Sequence, residues 1–156
     1  MRTSYRFFSV LVLTALLAGC GAPAPTDGAD EHVTSMGTIE VTAKLVDIPG
    51  DFPSNDLYDY AYVMKYEVVE VHRGEASGTL LVGQYNPLKK RSEVADVRTG
   101  EIGGDVTRFR VGDLHRLALD APIDNFCMAG IINKYAETEP PDMPIYWAFW
   151  TNQVIP

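Results

Sequence analysis

Apolar and polar residues alternate cleanly over positions 38–45. Ile39, Val41, Ala43 and Leu45 fall on one side, and Thr38, Glu40, Thr42 and Lys44 on the other. A period of two over this length predicts a strand with one buried face. Positions 49–56 read Pro-Gly-Asp-Phe-Pro-Ser-Asn-Asp and break the chain with turn formers. The stretch 60–73 carries the longest strand pattern. Tyr60, Tyr62, Met64, Tyr66 and Val68 share one parity, but Glu70 and His72 leave it, and Val69 and Val71 occupy the other. That change of phase predicts a strand that switches its buried face at a bulge or bend, as strands serving two layers of a small closed barrel do.

Residues 73–78 make a turn and 79–85 resume as a strand ending at Asn86-Pro87, so the pair reads as a hairpin. Residues 88–108 are polar and glycine-containing; 92–97 has the make-up of a short helix and 99–105 of a loop. A fourth strand region covers 109–119, with a turn at Gly112-Asp113 and with Leu117 and Leu119 inward. Residues 126–132 fit a short strand or a helix, and 145–151 close the chain as an aromatic strand. Five strands with the long connection between the third and fourth match the order of an OB-type barrel. The expected fold class is mainly β, a small five-stranded OB-like barrel with one long connection and room for a short helix.

Ahead of this domain, Arg2 and Arg6 precede the apolar run 7–17, and Leu17-Ala18-Gly19-Cys20 follows. A positive start, an apolar stretch and small residues are the parts of an export signal, and the run is shorter than the roughly 20 residues that span a bilayer. Leu17-Ala18-Gly19-Cys20 resembles a bacterial lipobox. The resemblance implies cleavage between Gly19 and Cys20, a diacylglyceryl group on the Cys20 thiol and an acylated amino terminus. Two or three chains, at about 0.8 kcal/mol per buried methylene, make such attachment effectively permanent. Lipoproteins kept in the inner membrane of Gram-negative bacteria commonly carry Asp after the cysteine. Gly21 stands there, which points in such a cell to the outer membrane, facing the periplasm. Residues 1–19 then form the signal peptide, 20–36 an acylated cysteine and flexible tether rich in Ala, Pro, Gly, Asp and Thr, and 37–156 one domain.

Charge narrows the partners. Thirteen basic residues face 21 acidic ones, a net charge of −8, and losing Arg2 and Arg6 with the signal deepens it. Such a surface repels nucleic acid and anionic lipid heads. If Cys20 carries lipid, Cys127, the other cysteine, has no intramolecular partner and no disulfide framework exists.

Residue types for chemistry are sparse. Past the signal, serines stand at 35, 54, 77 and 92, none in a Gly-x-Ser-x-Gly elbow. The three histidines, His32, His72 and His115, are far apart and lack a metal-ligand spacing. Two constellations keep an enzyme reading open, a small hydrolase or acyl-transfer protein: Cys127, which otherwise suits a small buried hydrophobe, and a His72/His115 pair that would meet on adjacent strands, with Asp113 beside it. No metal or cofactor is expected.

Binding has more support. Aromatic residues beside polar loops, such as Tyr58, Tyr60 and Tyr62, suit sugar rings. The basic knot Lys89-Lys90-Arg91, after Tyr85-Asn86-Pro87, suits an anionic partner. With His72, Arg73, Arg108, Arg110, His115 and Arg116 it outlines an expected surface for an acidic polysaccharide or an envelope protein. The segments 62–74, 78–82 and 109–113 also resemble netrin-like or TIMP-like barrel modules of secreted proteins. Inhibitors of that family chelate a protease zinc through a free amino-terminal cysteine, which an acylated Cys20 cannot do. A third reading is a structural lipoprotein that pairs through an exposed strand edge.

Overall fold

In the computed structural model, which describes residues 30–155, the alternation at 38–45 forms the strand β1 (Ile39–Asp47). The hairpin follows as β2 (Tyr60–Arg73) and β3 (Thr79–Tyr85). Then come β4 (Gly103–Gly104), β5 (Leu114–Asp120), β6 (Gly130–Ile132) and β7 (Ile145–Val154). The sheet runs β1-β5-β7-β3-β2-β6, and β1 also pairs with β2, which closes five strands into a barrel. β3 and β7 run parallel, and the other ring contacts are antiparallel. This is the OB-like order expected, with β4 and β6 added outside the ring.

Alternation decides the interior. Val41, Ala43, Leu45, Tyr62, Met64, Tyr66, Val82, Leu117 and Leu119 fill the barrel. The opposite parity of β2 and β3 is buried as well, beneath the long β5–β7 connection, so Ala61, Val63, Leu81 and Tyr85 form two outer clusters with Ile123, Ile131, Tyr135, Met143 and Trp147.

The predicted change of phase in β2 is present, since the β1–β2 register shifts between Thr42/Ala43 and between Glu40/Val41. Its consequence differs from the expectation. Val69 and Val71 do not enter a second core; both are exposed, because this end of β2 runs past the start of β3, whose last paired residue there is Thr79 opposite Glu67. The segment 92–97 is not an α-helix either; a 3₁₀ turn at Arg91–Glu93 stands there instead.

A short helix, α1 (Glu31–Ser35), lies where the flexible tether was expected. Five residues cannot hold a helix alone, so packing holds it. Asp30 caps it, accepting from the backbone N–H of His32 (2.9 Å) and Val33 (3.0 Å). Its other oxygen accepts from Trp150 Nε1 at 3.2 Å and from Asn152. Val33 is fully buried, and Arg73 donates to the carbonyls of Thr34, Met36 and Gly37. The folded unit therefore includes residues 30–36, ahead of the expected start at 37.

Glu40 ties this segment to the barrel. Only 4% exposed, it accepts from Arg116 Nε (2.9 Å) and Nη2 (2.7 Å) and lies 3.7 Å from Arg73 Nη1. Removing one partner of a buried ion pair costs about 3–5 kcal/mol. Glu40→Ala should therefore lower unfolding stability by about 3 kcal/mol in urea titrations and speed amide exchange at Val33 through the freed Arg73.

Candidate functional site

The expected binding surface does not form as one face. Tyr85, Asn86, Arg91, His115 and Arg116 are buried, each with a structural task. The Tyr85 hydroxyl donates to Asp96 at 2.8 Å. Burial raises the Asp96 carboxyl, but this bond and those from Arg98 and Thr99 outweigh it and hold the group at about 2. Asn86 adopts a left-handed backbone, φ 42°, which an Asn tolerates better than most residues. Its amide oxygen accepts from Asn55 Nδ2 (2.6 Å) and Tyr60 N (3.2 Å) and its nitrogen donates to Asp59 (2.8 Å), which pins the loop 54–59 to the end of β3. Arg116 and Arg73 serve Glu40. Lys89, Lys90, Arg108 and Arg110 are exposed, and Lys90 pairs with Glu93 at 3.1 Å. Tyr60 and Tyr62 are also buried, and their hydroxyls donate to the carbonyls of Pro53 and Pro49, earlier in the β1–β2 connection. Cys20 and Gly19 lie outside the described residues.

The candidate catalytic groups point apart. His72 bonds Thr42 Oγ1 at 2.8 Å on the outside of β1, whereas His115 is paired with inward Ala43 and sits inside the barrel. There its Nδ1 is bonded to the Tyr66 hydroxyl at 3.0 Å and Phe109 meets it edge-on. Cys127 is half-buried, burial pushes its thiol up, and Sγ donates to the Ala129 carbonyl at 3.7 Å. A nucleophilic cysteine needs the opposite, a lowered pKa and an adjacent base. Among the described residues no three His, Cys, Asp or Glu side chains gather as a metal site.

In OB barrels the outer face of the second and third strands, with adjoining loops, is the usual platform for oligonucleotides and oligosaccharides. Here the β5–β7 connection occupies it, and Lys65 of β2 is paired with Glu139 of that connection. The outer side of β7 is more open. Its loop cover, residues 98–104, leaves a cavity of about 750 Å³ on one side, lined by His32, Met36, Arg91, Ser92, Ala95, residues 100–104 and Trp150. On the other side is one of about 300 Å³, walled by Phe126, Trp147 and Phe149 with Arg98, Glu101 and Asn125 on its polar side. Both volumes fall in the range of small-ligand sites. Trp150 is held between two partners, the His32 ring stacked on it at 4.1 Å and the backbone of Gly103. Gly104, φ 130°, approaches β7 so closely that a Cβ there would collide with the Thr151 carbonyl.

Of this lining the sequence names Arg91, whereas it places His32 in the tether and the glycines in a plain loop. The available signal was Asp30, a helix-capping residue directly ahead of Glu31. The geometry defines a closed OB-like barrel with its usual face covered and a second face furnished with cavities. Compared with protein-family profiles, curated proteins and solved structures, the chain finds no match.

His115 sets a pH dependence. Burial holds its imidazole at about 4, against a smaller upward pull from Asp113 and Gln153. The unfolded chain takes up that proton near pH 6.5, so unfolding absorbs a proton between the two values. Stability is full above about pH 6.5 and falls by up to about 3 kcal/mol as the pH drops to about 4. The Asp96 contribution is lost only below that, toward pH 2. Urea midpoints measured from pH 7 to 4.5 should decline in the wild type and stay nearly level in His115→Gln.

Proposed function

We propose that the protein is a lipid-anchored, non-catalytic module of the bacterial envelope that binds or assists a surface polysaccharide or an envelope protein. One observation carries this reading: the outer side of β7 bears ligand-sized cavities, while the nucleophile and base candidates lie on different faces. Among the described residues the Cys127 thiol bonds the Ala129 carbonyl and not a base, which disfavours an acyl-transfer or hydrolytic site there. Pairing through a strand edge has little support either, since the ring is closed and the added strands β4 and β6 are two and three residues long.

The anchor half of the proposal rests on Leu17-Ala18-Gly19-Cys20. In this reading Cys20 holds the protein to the membrane, on the periplasmic side of the outer membrane in a Gram-negative cell. The nine residues between Cys20 and Asp30 cannot reach beyond about 35 Å, so in this reading the barrel works near the lipid surface. Cys20→Ser should move the protein from the membrane pellet to the soluble fraction and abolish incorporation of labelled palmitate. Membrane retention with full labelling in that variant would exclude the anchor.

A further inference from the structure

The exposed apolar side chains of the barrel collect at one end. β1, β3 and β7 finish there and β2 and β5 begin there, since Asp47 pairs with Lys65, Tyr85 with Ala61, and Leu114 with both Lys44 and Val154. The β1–β2 connection carries Leu57 and Tyr58 at this end, the chain after β3 carries Leu88, the chain ahead of β5 carries Val111, and Ile155 follows β7. Met128 joins them, two residues ahead of Gly130, which pairs with Tyr60. These are six of the nine large apolar residues exposed among the described residues, so the clustering sets this end apart. Leu57 is 90% exposed and has no packing task. The loops are nonetheless fixed in place. Asn86 accepts from Asn55 (2.6 Å) and donates to Asp59 (2.8 Å), which holds Leu57 and Tyr58 near Leu88. Gly112 N donates to the Leu45 carbonyl (2.7 Å) and Leu45 N to that of Asp113 (2.9 Å), which holds the turn at Val111. Apolar residues gathered on a surface mark a place where a partner or a membrane is met.

Two observations identify the partner as a lipid surface. The first is charge. In the loops 48–59, 86–90 and 106–113, Lys89, Lys90, Arg108 and Arg110 balance Asp51, Asp56, Asp59 and Asp113, in a chain whose net charge is −8. This end therefore escapes the repulsion that the rest of the surface exerts on anionic head groups, and its four basic side chains are exposed beside the apolar tips. Long cationic side chains reach lipid phosphates while neighbouring apolar groups enter the acyl boundary. The second is where the described chain begins. Asp30 bonds Asn152, two positions before the end of β7, so the segment coming from Cys20 enters the fold beside this same end.

We propose that this end of the barrel docks on the bilayer, with Leu57, Tyr58, Leu88 and Val111 inserted at the head-group level and Lys89, Lys90, Arg108 and Arg110 against lipid phosphates. The membrane and the tether come from the envelope reading above, on which this step rests; the docking itself uses no acyl chain. A barrel standing on this end leaves the cavities on the outer side of β7 open to a ligand.

The test is co-sedimentation of residues 20–156 carrying Cys20→Ser, and so unacylated, with vesicles of phosphatidylethanolamine and phosphatidylglycerol. That chain contains every described residue. Saturable partition onto the vesicles is expected. Leu57→Asp combined with Leu88→Asp should weaken it about tenfold or more with an unchanged melting temperature, because both positions are exposed. Val69→Asp, exposed at the far end of β2, should sediment as the parent does. Absence of partition, or parental partition by the Leu57→Asp, Leu88→Asp pair, would overturn the docking face. Palmitate labelling of the wild type decides the anchor separately. Labelled protein whose unacylated form ignores vesicles keeps the anchor and loses this face, and vesicle partition without labelling does the reverse.

Discussion

Everything in this structure depends on β1 being paired on both sides. It bonds to β2 along one edge and to β5 along the other, and that double pairing turns an open sheet into a ring. β1 can do so only because β2 yields, shifting register three times along their contact. Each shift adds local twist, and the accumulated twist lets β2 bend from β3 to β1. On the outer side of this seam Glu40 draws Arg116 from β5 and Arg73 from β2 onto one carboxylate. The inner side is apolar, with Val41, Ala43 and Leu45 against the interior of the barrel.

Closure has a cost in available surface, which decides where a ligand can go. The ring uses both edges of its strands, and the β5–β7 connection folds over the outer face of β2 and β3. Of the surface left uncovered, the outer side of β7, where aromatic residues at 147, 149 and 150 meet the loop 98–104, carries two cavities, and a further one of about 600 Å³ lies at the β2–β3 turn beside Met143 and Tyr146. The segment leading in from the amino-terminal side ends on this same face, through Asp30 and His32 on Trp150. In the reading proposed here, the chain that ties the barrel to the membrane also forms one wall of its binding site.

The strands were legible because period-two alternation reports burial directly. β2 and β3 occupy the positions predicted, and Leu117 and Leu119 face inward as expected. The phase change in β2 was legible too, but not its outcome, since alternation cannot tell an apolar face that meets a second layer from one that meets solvent. Charged and polar residues misled for a related reason. Arg91, Arg116, Asn86 and Tyr85 look like a surface in sequence, yet each is buried with partners distant along the chain: Phe109, Glu40, Asn55 and Trp147. His32 was placed in the tether because the residues around it are small and polar, and only the stacking with Trp150, over a hundred positions away, gives it a place in the fold.

The central claim is that the working face lies on the outer side of β7 and not on the covered face of β2 and β3. Amide and indole chemical-shift mapping with solubilised envelope polysaccharide addresses it directly. The account predicts shifts concentrated at His32, Ser92, Ala95, residues 100–104 and the Trp150 indole N–H. Shifts confined to β2, β3 and the connection between β5 and β7, with Trp150 unmoved, would contradict it.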